Sequence, residues 1–329
     1  MRKLITYPNC SKGGVTSVIR GRAASEPETV FDVIFVNDRG GARAFDDLLN
    51  VNVRIIRPDR LVAYLKSLVK ALEYDSIHVL SQPLVANELS GDEDTAVSYE
   101  FHSSSMPVVE AEIEKLDLNQ LAEIVVPSEQ MRSWISDRLP KRYRPRVNVV
   151  SNLVDKSSFT ADGYSDYFKQ DRDFPADGKP VVWVGRFDQG KGFQYAVRTL
   201  AQLPKEYVGI FIVSLEHDPA RISAFFSECD AMGIRDRVHL LMDLTPEEMA
   251  NIYRSAAAQA GVFISTSLME SFGYAIAESM ACGLSCVAFE LPILSLHEGP
   301  LTSVPIGDVL GMSKAIQSVS SELRSSISN

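Results

Sequence analysis

The sequence predicts an α/β protein made of two doubly wound, Rossmann-like domains in tandem, and three observations carry that expectation. Short apolar runs alternate with longer amphipathic stretches along nearly all of the 329 residues. A polar stretch rich in Asp, with Gly and Pro, interrupts the alternation once, after which it restarts. The apolar share, 45%, is enough for a chain of this length to bury more than one core. Strands alternating with helices imply parallel sheets with helices on both faces. Such sheets bind ligands beyond the carboxyl ends of their strands, so a tandem pair is expected to face across a cleft that holds the site.

In the first half, "VFDVIFV" (30–36), "SIHVL" (76–80), "TAVSYEF" (95–101), "EIVVPS" (123–128) and "RVNVVS" (146–151) read as strands. Between them, "RLVAYLKSLVKALEY" (60–74) and "EQMRSWISDRL" (129–139) have helical spacing. The polar interruption falls within 160–180, which gives a first domain over 1–160, a linker over 161–180 and a second domain over 181–329. Beyond it, "VVWVG" (181–185), "YVGIFIV" (207–213), "RVHLL" (237–241), "GVFIST" (261–266) and "SCVAFE" (285–290) repeat the strand pattern. The halves share a rhythm and no internal repeat.

Two stretches suggest chemistry. In "GVFISTSLMESFGYAIAESMACG" (261–283) a strand ends in small polar residues, and a helix is expected from Ser271 or Phe272 to a stop at Gly283. Glu270 then precedes the helix and Glu278 lies about two turns inside it. Gly273 permits close approach of a ligand, and the N–H groups of a helix start can hold an anion. Carboxylates accept well from vicinal hydroxyls of a ribose or sugar. An ordinary βαβ unit, with one glutamate capping and one solvated, fits the spacing equally. In "VVWVGRFDQGKGF" (181–193), Arg186 and Lys191 stand five apart in a Gly-rich turn after a strand. That suits a diphosphate, with Arg bidentate and Lys a point charge. The GxxxxGK[ST] pattern of a Walker loop is absent, and plain solvation of both cations is the alternative.

Taken together, "GRFDQGKGF", "VHLLMDLTPEEMANIY" and "GVFISTSLMESFGYAIAESMACGLSCVAF" resemble the C-terminal domain of a GT-B glycosyltransferase of family 4, over roughly residues 181 to 290. Glu270 and Glu278 fall on that family's Glu-x7-Glu motif, with Phe272 and Gly273 inside it. The first half is similar more loosely. "SKGGVTSVI" (11–19) resembles the Gly-Gly loop, with Gly13 and Gly14 near the donor phosphates, and "YEFHSSS" (99–105) the strand ending in a sugar-facing histidine, His102. "VVPSEQMRSWI" (125–135) and "VNVVSNLVDKSSF" (147–159) resemble later landmarks of the N-domain. The sequence departs from the family at Leu153, where Gly is usual, and at "LPILSLHEGP" (291–300), where a Gly-Gly-x-x-Glu loop is usual. It also ends short of the family's long C-terminal helices.

The resemblance implies a retaining glycosyltransferase that moves a sugar from a nucleotide-diphosphate donor, UDP-sugar favoured over GDP-sugar, to a glycan, lipid-linked or small-molecule acceptor. Arg186 and Lys191 would neutralise the leaving diphosphate with help from Gly14. Glu278 would hold the ribose. Glu270, Ser271, Phe272 and Gly273 would orient the donor sugar, with His102 on its other side. No metal or other cofactor is implied. A non-catalytic sugar-nucleotide-binding or partner subunit of the same fold is the alternative from another class.

The remaining features narrow partners and place. A net charge of -10 argues against a general nucleic-acid binder. Four scattered cysteines read as buried thiols of a reducing cytosol, and "GDEDT" (91–95) as a solvated loop. The N-terminus lacks signal-peptide character, and no apolar run approaches the roughly 20 residues of a membrane span. A cytoplasmic protein is expected. Arg54, Arg57, Arg60, Lys66 and Lys70 around the helix at 60–74 read as snorkelling over a packed face, with peripheral contact at the inner face of the membrane as the second reading. "RLPKRYRPR" (138–146) is a second basic cluster suited to an anionic acceptor or membrane.

Overall fold

A computed structural model describes residues 1–11, 13–91, 96–103, 105–170, 174–213 and 220–327, with residues 326 and 327 described in backbone only. The acidic run at 92–95 lies outside them. The chain divides into two compact units, Met1–Asp155 and Lys156–Asn329.

The first unit runs β1 (Arg2–Cys10), α1 (Gly14–Ser25), β2 (Val30–Asp38), β3 (Val51–Ile55), α2 (Pro58–Ala71), β4 (Ser76–Leu80), α3 (Pro83–Ser90), β5 (Val97–Glu100), α4 (Met106–Lys115), β6 (Glu123–Val126), α5 (Glu129–Arg138) and β7 (Val147–Val149). Its strands form one parallel sheet ordered β3-β2-β1-β4-β5-β6-β7, so the order reverses between β1 and β4. Neighbouring residues of β1 enter different cores: Leu4 packs with Ile77, Val79 and Tyr99, Ile5 with Phe31, Val33 and Phe35. That is the alternation of a strand covered on both faces.

Two of these strands are absent from the sequence reading. β1 contains Pro8, which breaks a strand pattern. Here Pro8 lies beyond Thr6, the last β1 residue paired with β4, so no ladder on that side needs its N–H. β3 is an edge strand with three of its five residues exposed, and the sequence reading joined its Arg54 to the following basic helix. The helix itself starts at Pro58, where proline is pre-set for a first turn.

Only Leu61 and Leu65 of α2 are buried, while Arg57 pairs with Asp59 and Lys66 with Glu88. The second basic cluster is committed largely to local structure. Arg138 stacks on Trp134 and pairs with Glu110, Arg144 donates to the Leu139 carbonyl, and Arg146 donates to those of Leu118 and Leu121. No helix among the described residues is long and apolar enough to cross a membrane.

The second unit runs α6 (Tyr167–Gln170), β8 (Lys179–Val184), α7 (Phe193–Ala201), β9 (Tyr207–Val213), α8 (Ala220–Ala231), β10 (Val238–Met242), α9 (Pro246–Ala258), β11 (Val262–Ser265), α10 (Tyr274–Ala281), β12 (Cys286–Phe289), β13 (Leu301–Val304) and α11 (Val309–Ile327). Its parallel sheet is ordered β10-β9-β8-β11-β12-β13, which reverses between β8 and β11. Short edge strand β13 is a further strand the sequence pattern did not reveal. The stretch before β8 packs on this unit. Arg254 donates to the carbonyls of Tyr164 and Thr160, Tyr167 N–H donates to Ser255, and Phe168 lies against Phe174. Helix α9 opens with a capping box, Thr245 and Glu248 each satisfying a backbone N–H of the other.

Within the first unit a buried guanidinium fastens the end of the chain segment to α1. Arg20, 4% exposed in its side chain, is 2.8 Å from the 3%-exposed Asp155 and also pairs with Asp47, which is 58% exposed. Water can replace Asp47 but not Asp155. Asp155→Ala should therefore cost the first unit about 2 kcal/mol, the scale for losing a buried charge-assisted hydrogen bond, and Asp47→Ala about 1 kcal/mol or less. Amide exchange across α1 and β2 measures both; equal losses would contradict the ranking.

Candidate functional site

In the second unit the sequence-marked residues gather at the carboxyl ends of β8 and β11, where the strand order reverses. Strand β8 delivers its chain into Gly185 and Arg186, and the turn closes through Asp188. The Asp188 side chain accepts from Lys191 N–H at 3.0 Å and its other oxygen lies 2.9 Å from Arg186 Nε. Below the turn, Phe187 stacks on Phe225 with centroids 4.5 Å apart and lies beside Trp183 and Phe193. The aromatic cluster fixes the base of the turn while Arg186 stays half exposed.

Lys191 leans the other way, into an ion pair with Glu270 from the loop after β11. Ser267 Oγ donates to the same carboxylate oxygen at 2.8 Å. The two loops are also tied through buried Thr266, whose hydroxyl accepts from Trp183 Nε1 at 2.9 Å and donates to the Lys191 carbonyl at 3.1 Å. Leu268 N–H donates to the Gly190 carbonyl at 2.8 Å. Gly192 is left-handed at φ 61, and a Cβ there would stand 2.5 Å from the Thr266 carbonyl oxygen. The turn approaches β11 so closely that only glycine fits.

Helix α10 begins at Tyr274, later than Ser271 or Phe272, because Gly273 takes a left-handed conformation, φ 83 and ψ 54, at its N-cap. Ser271 and Phe272 thus belong to the turn, and no side chain caps the helix start. Glu278 is consequently the fifth helical residue, one turn in where the sequence suggested two, and it is buried. It lies in electrostatic range of Tyr253, whose phenol is raised by burial first and by Glu278 second. The expected stop at Gly283 holds, at φ 81.

His297 was not among the sequence candidates. It stands in the divergent "LPILSLHEGP" stretch, its Nε2 2.6 Å from the Phe272 carbonyl and its ring edge-on to Phe272 at 4.9 Å. Burial lowers its pKa, against smaller opposing effects of that carbonyl and of Glu270. Thr266, Ser267 and Asp188 also escaped the sequence reading, since small polar residues after a strand carry no signature of their own.

In the first unit, Gly13 and Gly14 lead into α1, with Gly13 N–H 3.2 Å from Ser11 Oγ. His102 lies just past β5, and its Nε2 is 2.8 Å from Glu100 Oε2. Glu100 is fully buried and gripped by Arg22 of α1 through two bonds of 2.8 Å. His78 Nδ1 lies 2.7 Å from its other oxygen without hydrogen-bond alignment. Burial alone would raise the Glu100 carboxyl. The Arg22 charge, with the contacts from His102 and His78, outweighs it and holds the group well below the usual carboxylate range. The sequence did offer a signal here, a carboxylate inside the wholly buried strand "VSYE". Among the described residues no group of three or more His, Cys, Asp or Glu could hold a metal ion.

Known proteins resemble the second unit in sequence and both units in fold. Residues 178–322 match the family model described as glycosyl transferases group 1. The match lies wholly within the second unit and covers less than half of the chain. Curated relatives align over much the same part. D-inositol 3-phosphate glycosyltransferase of Mycolicibacterium smegmatis is 34% identical over 145 residues, which is 44% of this chain and 32% of that protein. A probable sucrose-phosphate synthase of Thermosipho melanesiensis is 28% identical over 120 residues, 36% of this chain and 26% of its own. The match thus spans about a third or less of these relatives. Solved structures cover both units. HepE of Anabaena, in complex with UDP and glucose, superposes with a TM-score of 0.77 at 18% identity, over 99% of this chain and 94% of that one. Sucrose-phosphate synthase of Thermosynechococcus elongatus gives 0.76 at 19% identity, over 98% and 90%. At such identity these two establish the fold, which is GT-B with two Rossmann-like halves.

The lowered His297 pKa has a consequence in solution. The unfolded imidazole binds its proton near 6.5 and the folded one only at lower pH. Stability therefore rises with pH across that window and is lost as pH falls from 6.5 toward the folded value. Melting of wild type and His297→Gln, which keeps a donor for the Phe272 carbonyl, should diverge on acidification. The wild type should lose more between pH of about 7.5 and about 5.5; parallel curves would contradict it.

Proposed function

We propose that this protein is a retaining glycosyltransferase that uses a nucleoside-diphosphate sugar, UDP-linked in preference to GDP-linked, and a glycan, lipid-linked or small-molecule acceptor. The single observation that carries the reading is the meeting of Arg186, Lys191 and Glu270 at the β8/β11 reversal. It supports diphosphate binding because two cations and a sugar-facing carboxylate lie where a doubly wound sheet takes its ligand. The Anabaena relative in complex with UDP and glucose lends the uridine preference its support.

On this reading Arg186 and Lys191 receive the leaving diphosphate. Both already hold carboxylate partners, Asp188 and Glu270, so the incoming phosphates exchange with or share those contacts. The positive charge is thereby preorganised, and charge aimed at a developing anion is the largest catalytic contribution available to such a site. Glu278 accepts from the ribose hydroxyls. Glu270 and the Ser271–Gly273 turn align the donor sugar; the sequence resemblance assigns His102 to the sugar and Gly13 and Gly14 to the phosphates. The acceptor attacks on the face the diphosphate leaves, and the departing phosphate takes the acceptor proton, so no protein nucleophile is required. Neither does the scheme call on a metal ion or another cofactor.

Lys191→Ala and Arg186→Ala should each lower donor turnover roughly 10²–10³-fold, the scale for losing a preorganised charge stabiliser. Release of UDP from UDP-sugars, with EDTA present, measures it. Near wild-type rates in both variants would sink the assignment of these two residues to the diphosphate, whereas no release by the wild type itself would favour a non-catalytic role.

The two glutamates separate further. Glu278 would touch the ribose in ground and transition states alike, so Glu278→Gln should raise KM more than it lowers kcat. Glu270→Gln leaves Lys191 for the phosphates and should fall mainly on kcat, with free UDP still bound. Calorimetry with UDP beside the kinetics tests the division, and equal losses of UDP affinity would overturn it.

A further inference from the structure

The first unit carries a buried ionic cluster with no part in diphosphate binding. Glu100 ends β5, is 0% exposed, and has its two oxygens bracketed by Arg22 from α1, His102 from the following loop and His78 from β4. A buried carboxylate needs partners, and one cation would satisfy it. This one has the Arg22 fork and in addition an imidazole on each oxygen. An ionised carboxylate can only accept, so the imidazole nitrogen 2.8 Å away must donate. For a neutral His102 this fixes the proton on Nε2 and leaves the lone pair on Nδ1. We infer that Glu100 is a positioning residue, holding His102 in the Nε2–H tautomer with Nδ1 as its acceptor nitrogen.

The cluster also explains how His102 is held in place. His102 lies beyond the last strand residue, outside the ladder that orders β5, and its side chain is 6% exposed. Its anchor is itself anchored. Arg22 belongs to α1, whose place is set by its own buried residues Val18, Ile19 and Ala23, so the carboxylate is gripped from a fixed element. The juxtaposition is a two-residue spacing, Glu100 to His102, across the end of a buried strand. Arg22 keeps Glu100 ionised there, and His78 fills the remaining side with its Nε2 3.0 Å from Ser76 Oγ. Glu100 itself acts only through the imidazole.

The role of His102 toward the donor sugar rests on the function proposed above; the tautomer does not. The first arm of the test is therefore free of activity. Long-range ¹H–¹⁵N correlation spectra of the whole chain at pH of about 8, where an unperturbed imidazole is neutral, resolve the tautomer of each of the five histidines. His102→Gln identifies the His102 signals by their loss. The Nε2–H form is expected for His102, and the Nδ1–H form would overturn the proposal even if transferase activity is confirmed. This arm needs no variant at Glu100, so a folding failure there does not protect the inference.

The second arm is kinetic. Glu100→Gln should lower kcat roughly 10- to 100-fold, the scale of a misplaced group, with the donor KM within about threefold. In a His102→Ala background the same change should cost almost nothing more, because its effect passes through the imidazole. Additive losses would overturn the positioning role. Absence of transfer in the wild type, beside the expected tautomer, would sink the proposed function and leave this inference standing.

Discussion

The ion pair between Lys191 and Glu270 is the contact on which the second unit's site depends. Its partners come from loops 79 positions apart in sequence, yet they follow strands that are adjacent in the sheet. The doubly wound order creates that adjacency, since the chain leaves β8 toward one edge and returns through β11 on the other side. A charge pair of two long side chains would contribute little on an open surface. Here Lys191 is 25% and Glu270 15% exposed, and the backbones beneath them are already locked by Thr266, Trp183 and the close approach of Gly192. The scaffold pays the ordering cost once, so that the pair can exchange partners without rebuilding its loops.

The first unit solves a similar problem with the opposite sign. Its organising group is an anion, Glu100, held ionised in full burial by Arg22 and two imidazoles. Charges are costly inside proteins unless they are paired and bonded on every side. Each unit thus places its polar elements at the carboxyl ends of its strands and satisfies them within itself. The surface-facing basic segments have a different character. Arg144 and Arg146 are committed to backbone carbonyls, which leaves them less charge to offer a partner than the sequence alone suggests.

Strong periodicity made most of this legible beforehand. Buried strands such as Tyr207–Val213 and Ser76–Leu80 were recognisable because apolar residues cover both faces. Strands at the sheet edges were not, since β3 and β13 bury too little to show a pattern. Central β1 was concealed by Pro8, a residue whose tolerance depends on where its neighbour β4 stops. At the site, Arg186 and Lys191 in a glycine-rich turn, Glu270 ahead of a helix and Glu278 within it were visible. The groups that hold them were not. Thr266, Ser267 and Asp188 are ordinary loop residues until tertiary contact brings them to their partners, and His297 acquires meaning only through the Phe272 carbonyl. The start of α10 moved from Ser271 or Phe272 to Tyr274 for a similar reason, because the backbone of Gly273 and not a capping side chain sets it.

The central claim is that the β8/β11 reversal is a nucleoside-diphosphate site built on Lys191 and Arg186. Calorimetric titration of the whole chain with UDP, without metal ions, tests it most directly. The account predicts saturable one-to-one binding that weakens as ionic strength rises and is lost when both cations are replaced by alanine. Binding that is insensitive to salt and to that double replacement would contradict it.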